Sequence, residues 1–207
     1  MALPAVTWRE RVEFERRLVH AGGTLYVAPY LLGWLSWTET RYLLAVGLLV
    51  VAVLEALRLS GAAGPLDPLY DALVRGYEAD GVAGYALYQV SMTGTALALE
   101  PTLAIPAMWM LSLGDPVSGM LGDNGAKEPK RPTVWVAMFA VCLALALPFT
   151  VPAFGAGVGA AVAVGGALLA TVADGVPPVI RGVAVDDNLT IPPVAVTAMV
   201  LVLALLG

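Results

Sequence analysis

The sequence predicts an all-α integral membrane protein of about seven transmembrane helices, with the N-terminus cytoplasmic and the C-terminus outside. Three observations carry that prediction. Of the 207 residues, 59% are hydrophobic and 13% are charged, against about 45–50% and about 25% in a soluble domain, and the mean hydropathy is +0.81. The apolar residues gather into runs that can cross about 30 Å of hydrocarbon. The 11 basic residues fall almost entirely on one side once those runs are threaded alternately through a bilayer. No stretch reads as a separate soluble domain, so residues 1–207 are expected to form one multi-span unit.

Taken in order, residues 1–17 are a charged lead-in at the cytoplasmic surface. They mix both signs and show no small-residue cleavage site, so they do not read as a signal peptide. A first span is expected over Leu18–Trp37, with Trp34 and Trp37 suiting an interfacial belt. A short loop, Thr38–Arg41, leads to a second span at Tyr42–Leu57. Ser60–Gly81 is polar and turn-rich. A third span, Val82–Leu99, contains Gln89, Ser91, Thr93 and Thr95, which should face other helices or a cavity rather than lipid. A fourth begins at Pro101 and runs into Gly114-Asp115-Pro116. Either Asp115 lies inside the bilayer there, or the helix continues to Leu121 with Asp115 facing inward. After a polar loop over 123–133 come a fifth span, Val134–Val151, and a Gly/Ala-rich sixth, Phe154–Ala173. A loop over 174–190 then precedes the seventh, Ile191–Leu206.

On this threading ten basic residues lie on the N-terminal side and only Arg41 on the other, out of 11 in all. The positive-inside rule makes that side cytoplasmic. The 60–81, 114–133 and 174–190 segments then converge on the face where nucleotides are. The expected location is a prokaryotic plasma membrane. A sequence pI near 4.7 argues against nucleic acid as a partner. One Cys and one His exclude a disulfide framework and a Cys-based zinc site.

The chemistry-bearing residues cluster in those segments. Asp186-Asp187-Asn188 sits directly before an apolar run, where acids are costly to desolvate unless they pair or hold a cation. Hard oxygen ligands of this kind suit Mg²⁺, which takes one or two carboxylates plus phosphate oxygens and water. The alternative is a solvated loop whose acid caps the last helix. Asp115 is a second candidate metal ligand, or a catalytic acid, and its neighbours Gly114 and Ser118 would let backbone N–H groups approach a phosphate. Lys127, Lys130 and Arg131 could neutralise phosphate charge, as could Arg17, while Asn188 and Thr190 offer further polar contacts. His20 could serve as a base or a phosphate ligand; a hydrogen-bonded structural role fits it equally. Asp174 is a further possible ligand. Glu55 with Arg58, and Arg75 with Glu78, read as ion pairs.

These pieces resemble the polyprenol kinase family, which includes dolichol kinase, phytol kinase and the CTP-dependent diacylglycerol kinase of yeast type. The resemblance rests on Arg16-Arg17-Leu-Val-His20-Ala-Gly22, Glu55-Ala-Leu-Arg58, Gly114-Asp115-Pro-Val-Ser-Gly-Met-Leu-Gly122 and Asp186-Asp187-Asn188-Leu-Thr190-Ile-Pro192, in the same order along nearly the whole chain. It implies a multi-span enzyme that phosphorylates a lipid alcohol, often with CTP as donor. The metal would be Mg²⁺ held by Asp186 and Asp187 with Asp115, and an acid or His20 would take the hydroxyl proton. One element departs from the family pattern. A Lys-Ser or Lys-Thr followed by Glu-Gly is common after the Gly-Asp motif, and here the region reads Lys127-Glu-Pro-Lys130-Arg131-Pro-Thr133. The rival expectations are a CTP-dependent cytidylyltransferase acting on a lipid phosphate, and a non-catalytic transporter or divergent homologue.

Overall fold

The computed structural model describes residues 14–62, 64–122, 128–176, 178–180 and 183–207. It is helical apart from a two-residue antiparallel ribbon, β1 (Val179–Ile180) with β2 (Val183–Ala184). Among the described residues, four helices are long and apolar enough to cross a membrane: α3 (Trp37–Leu59), α8 (Pro132–Phe154), α9 (Ala156–Gly175) and α10 (Asp187–Leu206). By length and composition the chain is therefore a membrane protein. The outer face of α3 leaves Leu43, Val46, Leu49, Val50 and Val53 exposed, as a lipid-facing helix requires.

The other segments expected to span are less regular. Over Leu18–Trp37 the chain is not one helix. It forms α1 (Phe14–Gly22), a 3₁₀ turn (Gly23–Val27) and a single turn α2 (Ala28–Leu31). The break falls at Gly22-Gly23, and a Cβ on Gly23 would overlap the Tyr88 hydroxyl. A second reversal at Gly33 uses a positive φ of 72°, which an L side chain resists. The expected loop Thr38–Arg41 is instead the first turn of α3. Ser36 caps it, accepting from Glu39 N at 3.2 Å while its own N–H donates to Glu39 Oε2 at 2.7 Å. That reciprocal pair satisfies two donors at the helix start.

Within the polar stretch after α3 lies a short α4 (Asp67–Leu73). Then come α5 (Gly84–Ala98), α6 (Pro101–Trp109), a π-helical turn (Met110–Gly114) and α7 (Asp115–Leu121). The last three form one continuous helical path, so Asp115 faces inward along it. Pro116 explains the wide turn. It has no N–H, and its ring would collide with the carbonyl one α-turn back, so local widening relieves both defects. Gly114 lets this turn lie against α8, because a Cβ there would come within 2.9 Å of Met138 Sδ.

α9 packs along both α8 and α10, and α5 lies between α3 and α10. Lipid already solvates apolar side chains, so helix association here depends on close fit rather than on escape from water. Small residues supply that fit. Gly159 faces the Thr150 carbonyl, Gly166 faces Met199, and Ala163, Ala167 and Ala170 are fully buried. Gln89 and Thr93, expected to avoid lipid, are buried and both donate to the Leu44 carbonyl at 3.1 Å. That carbonyl lies within α3, so the two side chains tie α5 to α3.

Candidate metal and phosphate site

Three carboxylates from three helical elements meet at one end of the bundle. Asp115 opens α7, Asp174 closes α9 and Asp187 opens α10, and one oxygen from each lies within 4.8 Å of the others. Asp115 and Asp174 are buried and Asp187 is partly buried. Each is delivered by a local feature. The π turn rotates Asp115 inward. Asp174 rides the final turn of α9, where Trp135 packs across Gly175 with no room for a Cβ. Asp187 follows Asp186, whose side chain accepts from Asn188 N at 2.9 Å and caps α10.

Lys130 enters the cluster from the segment before α8. Its backbone N–H donates to the Gly175 carbonyl at 3.0 Å, which pins it beside Asp174. Its ammonium donates to Asp174 Oδ1 at 2.6 Å and to Ser118 Oγ at 3.0 Å, and Ser118 in turn donates to Asp174 Oδ2 at 2.6 Å. Burial would lower the Lys130 pKa, but Asp174, Asp115 and Asp187 outweigh it and hold the ammonium above its ordinary range. His20 stands on the far side, with Nδ1 3.7 Å from Asp115 Oδ2. The Tyr88 hydroxyl donates to the His20 carbonyl at 3.0 Å, and the two rings meet edge to face at 4.3 Å.

The sequence-predicted residues divide accordingly. Asp115, Asp187, Ser118, Lys130 and His20 are brought together. Arg17 adjoins them, donating to the Pro116 carbonyl at 3.4 Å, and its guanidinium fills the space a Cβ on Gly119 would need. Gly114 turns its bare face to the sulfurs of α8. Asp186 lies one step back, with Oδ1 committed to the Asn188 N–H and to Asn188 Nδ2 at 2.6 Å. Arg131 is exposed and its guanidinium reaches the Leu121 carbonyl at 3.4 Å. Thr190 turns back onto its own helix, 3.5 Å from the Asp187 carbonyl. Lys127 lies outside the described residues. Asp174 proves central, and its only sequence signal was an acid at the end of an apolar span.

The donor set fits a hard cation. Mg²⁺–O distances of about 2.1 Å imply oxygens about 3–4 Å apart around one ion. One oxygen from each of the three carboxylates lies within 4.8 Å of the others, close to that range. Three acids meet here with Lys130 bonded among them and Arg17 beside them, and a divalent cation is a further way to compensate carboxylates held this close.

Beside the carboxylates lies a cavity of about 340 Å³ between α1, α3, α4 and α5, with His20, Arg16 and Asn188 at its polar end. Fold and site together define a helical membrane protein with an acidic centre opening beside an apolar chamber. Compared with protein-family models, with curated proteins and with solved structures, the chain matches none.

Proposed function

We propose that the protein is a nucleotide-dependent kinase of a membrane lipid alcohol, with CTP or another nucleoside triphosphate as donor. One observation carries this reading: Asp115, Asp174 and Asp187 converge with Lys130, and His20, beside Asp115, lines the polar end of a largely apolar cavity. Phosphoryl transfer needs little covalent chemistry from a protein, chiefly positioning and charge compensation. Asp115, Asp174 and Asp187 would hold Mg²⁺, which when bound offsets phosphate charge. Lys130, with Arg17 nearby, supplies positive charge for the transferred group. His20 lines the cavity and faces Asp115 through Nδ1, while its Nε2 has no hydrogen-bond partner among the described residues. The Asp115 carboxylate at 3.7 Å lies beyond a hydrogen bond, and its charge favours the imidazolium that forms when Nε2 takes a proton. His20 Nε2 therefore accepts the hydroxyl proton, the alcohol oxygen bonds to the γ-phosphorus, the bond to the β–γ bridging oxygen breaks, and the nucleoside diphosphate leaves. The relation to the polyprenol kinase family, the seven-span threading and a cytoplasmic active face in a prokaryotic plasma membrane belong to the same proposal. Support for the orientation comes from Arg17, Arg58 and Lys130 sharing the site end while Arg41 sits at the other end of α3.

The test uses purified protein, Mg²⁺, prenyl alcohols and prenyl phosphates, with CTP labelled at either the α or the γ phosphate. Label from the γ position in the lipid is expected. Label from the α position with pyrophosphate release would make the protein a cytidylyltransferase. Lipid without label from any nucleotide would sink both and leave a transporter or non-catalytic homologue.

A further inference from the structure

One residue outside the carboxylate cluster governs the proposed base; this rests on the kinase reading for the role of His20, though not for the geometry. We propose that Tyr88 is the positioning residue of His20. Its hydroxyl holds the backbone beside the imidazole and its ring holds the imidazole itself, keeping Nδ1 toward Asp115 and leaving Nε2 for a ligand.

α1 needs such a tie. The elements it chiefly packs on are the π turn, α4 and α7, and none of these is a spanning helix. Arg17 reaches the Pro116 carbonyl only at 3.4 Å, at the weak end of hydrogen-bond distances. α1 also stops two residues after His20, at Gly22, and carbonyls in a last helical turn lack the partner a further turn would supply. Two of them accept from side chains instead. The Ala21 carbonyl takes Thr24 Oγ1 at 2.7 Å, and the His20 carbonyl takes the Tyr88 hydroxyl at 3.0 Å.

Tyr88 is well placed to hold. It is buried in the middle of α5, and α5 is packed between α3 and α10 and bonded to α3 through Gln89 and Thr93. Tyr88 thus carries the rigidity of spanning helices to a residue on a loosely gripped one. Its ring meets the imidazole edge to face at 4.3 Å and 73°, a favoured arrangement for two rings, which limits rotation of the imidazole.

Gly23 completes the contact. Its backbone is not in the left-handed region, so conformation does not call for glycine there. Space does, because a Cβ would overlap the Tyr88 hydroxyl and crowd its ring. The hydroxyl proton is given to the His20 carbonyl, so Tyr88 acts through His20 rather than on a ligand.

His20 is the one histidine of the chain, so isotope-labelled histidine reports it alone by NMR of the detergent-solubilised protein. One set of imidazole signals, cross-relaxing with the Tyr88 ring, is expected. Tyr88→Phe keeps a ring and deletes the hydroxyl. It should shift or broaden those signals and lower kcat by up to about a hundredfold, the scale of a small misplacement near the chemistry, with KM for nucleotide and acceptor unchanged. Tyr85→Phe is the control, since Tyr85 lies on the same helix with its hydroxyl on Glu55. It should lower the melting temperature and leave the His20 signals as they are. Gly23→Ala displaces the hydroxyl from the other side, so adding Tyr88→Phe to it should cost little more, and either variant alone suffices if the other fails to fold. Full additivity of the two would mean that they act independently and would overturn the proposal. So would unchanged His20 signals in Tyr88→Phe, or a loss confined to KM. A wild type without phosphoryl transfer, whose His20 signals still respond to Tyr88→Phe, would sink the kinase reading and leave the tie standing. Transfer with His20 signals blind to the substitution would do the reverse.

Discussion

Two buried charge clusters lie at the same end of this bundle, and they are satisfied very differently. In the first, Glu55 accepts from Arg58 Nη2 at 2.7 Å, Arg58 Nε at 3.0 Å, the Ala83 N–H at 2.8 Å and the Tyr85 hydroxyl. Arg58 extends further, to the Ala79 carbonyl at 3.0 Å and the Gly81 carbonyl. One acid meets one cation, and the carboxylate's acceptor capacity is spent. In the second, Asp115, Asp174 and Asp187 crowd together with one ammonium hydrogen-bonded among them, and that ammonium bonds to Asp174 alone of the three. The closed cluster ties the turn after α4 to the end of α3. The open one holds three carboxylates within 4.8 Å of one another. A lone carboxylate with its acceptors spent marks a strut, and carboxylates crowded together mark a place prepared for a ligand.

The comparison breaks most sharply under neutralisation. Asp187→Asn or Asp115→Asn should reduce turnover about 10²–10⁴-fold, the range set by losing metal charge or an oriented base. In Asp187→Asn the fold should survive, because removing that one of three crowded carboxylates relieves repulsion. Melting in detergent alongside turnover decides this, and a variant that melts early would make the trio structural. Arg58→Met should do the opposite. It strands Glu55 as a buried unpaired acid and should cost about 3–5 kcal/mol of stability, read by unfolding in a denaturing detergent. The KM for nucleotide should stay at the wild-type value, and adding Glu55→Gln should recover part of the loss.

Both clusters were visible in the sequence to different depths. Glu55 and Arg58, at i and i+3, read correctly as an ion pair, because that spacing on a helix fixes proximity. Asp115 and Asp187 read as candidate ligands because acids beside apolar runs demand a reason. Asp174 carries a weaker sequence signal, since its place depends on where α9 ends relative to α7 and α10, which is a tertiary fact. Asp186 and Asp187 look alike in sequence, whereas consecutive residues at a helix start diverge: Asp186 caps α10 and Asp187 joins Asp115 and Asp174. Among helices, the apolar runs located α8, α9 and α10 to within a few residues. Apolar content alone starts α3 at Tyr42, whereas the Ser36-x-x-Glu39 capping-box pattern marks its true start. The broken path from α1 to α2 escaped hydropathy altogether, since apolar content does not report the Gly22-Gly23 break.

Lys130 sharpens the comparison at smaller amplitude. In Lys130→Met the acids lose their bonded ammonium, so divalent cation should bind more tightly, by at least about tenfold even if the ammonium–cation repulsion is screened as in bulk water. Turnover should nevertheless fall, because the charge facing the transferred phosphoryl group is gone. Calorimetric Mg²⁺ or Mn²⁺ titration against turnover separates the two effects. Weaker metal binding in the variant would show that Lys130 orders the carboxylates instead of competing with the ion.

The smallest effect is the most diagnostic of which cluster is open. Lys130 has a raised pKa in the folded protein, so its ion-pair contribution to stability is fully present below its ordinary value of about 10.4 and is lost as pH rises through the raised one. The stability difference between wild type and Lys130→Met should therefore be flat from neutral pH to about 10 and shrink above it. Arg58 offers the control, because a guanidinium stays charged throughout that range, so the Arg58→Met difference should remain flat. Saturating Mg²⁺ should reduce the Lys130 limb, since the cation then carries the compensation the ammonium supplied. It should leave the Arg58 profile untouched, because the closed cluster has no vacancy for an ion. An Mg²⁺ effect of equal size on both profiles would mean that the two clusters are one electrostatic unit, and the distinction between strut and site would fail.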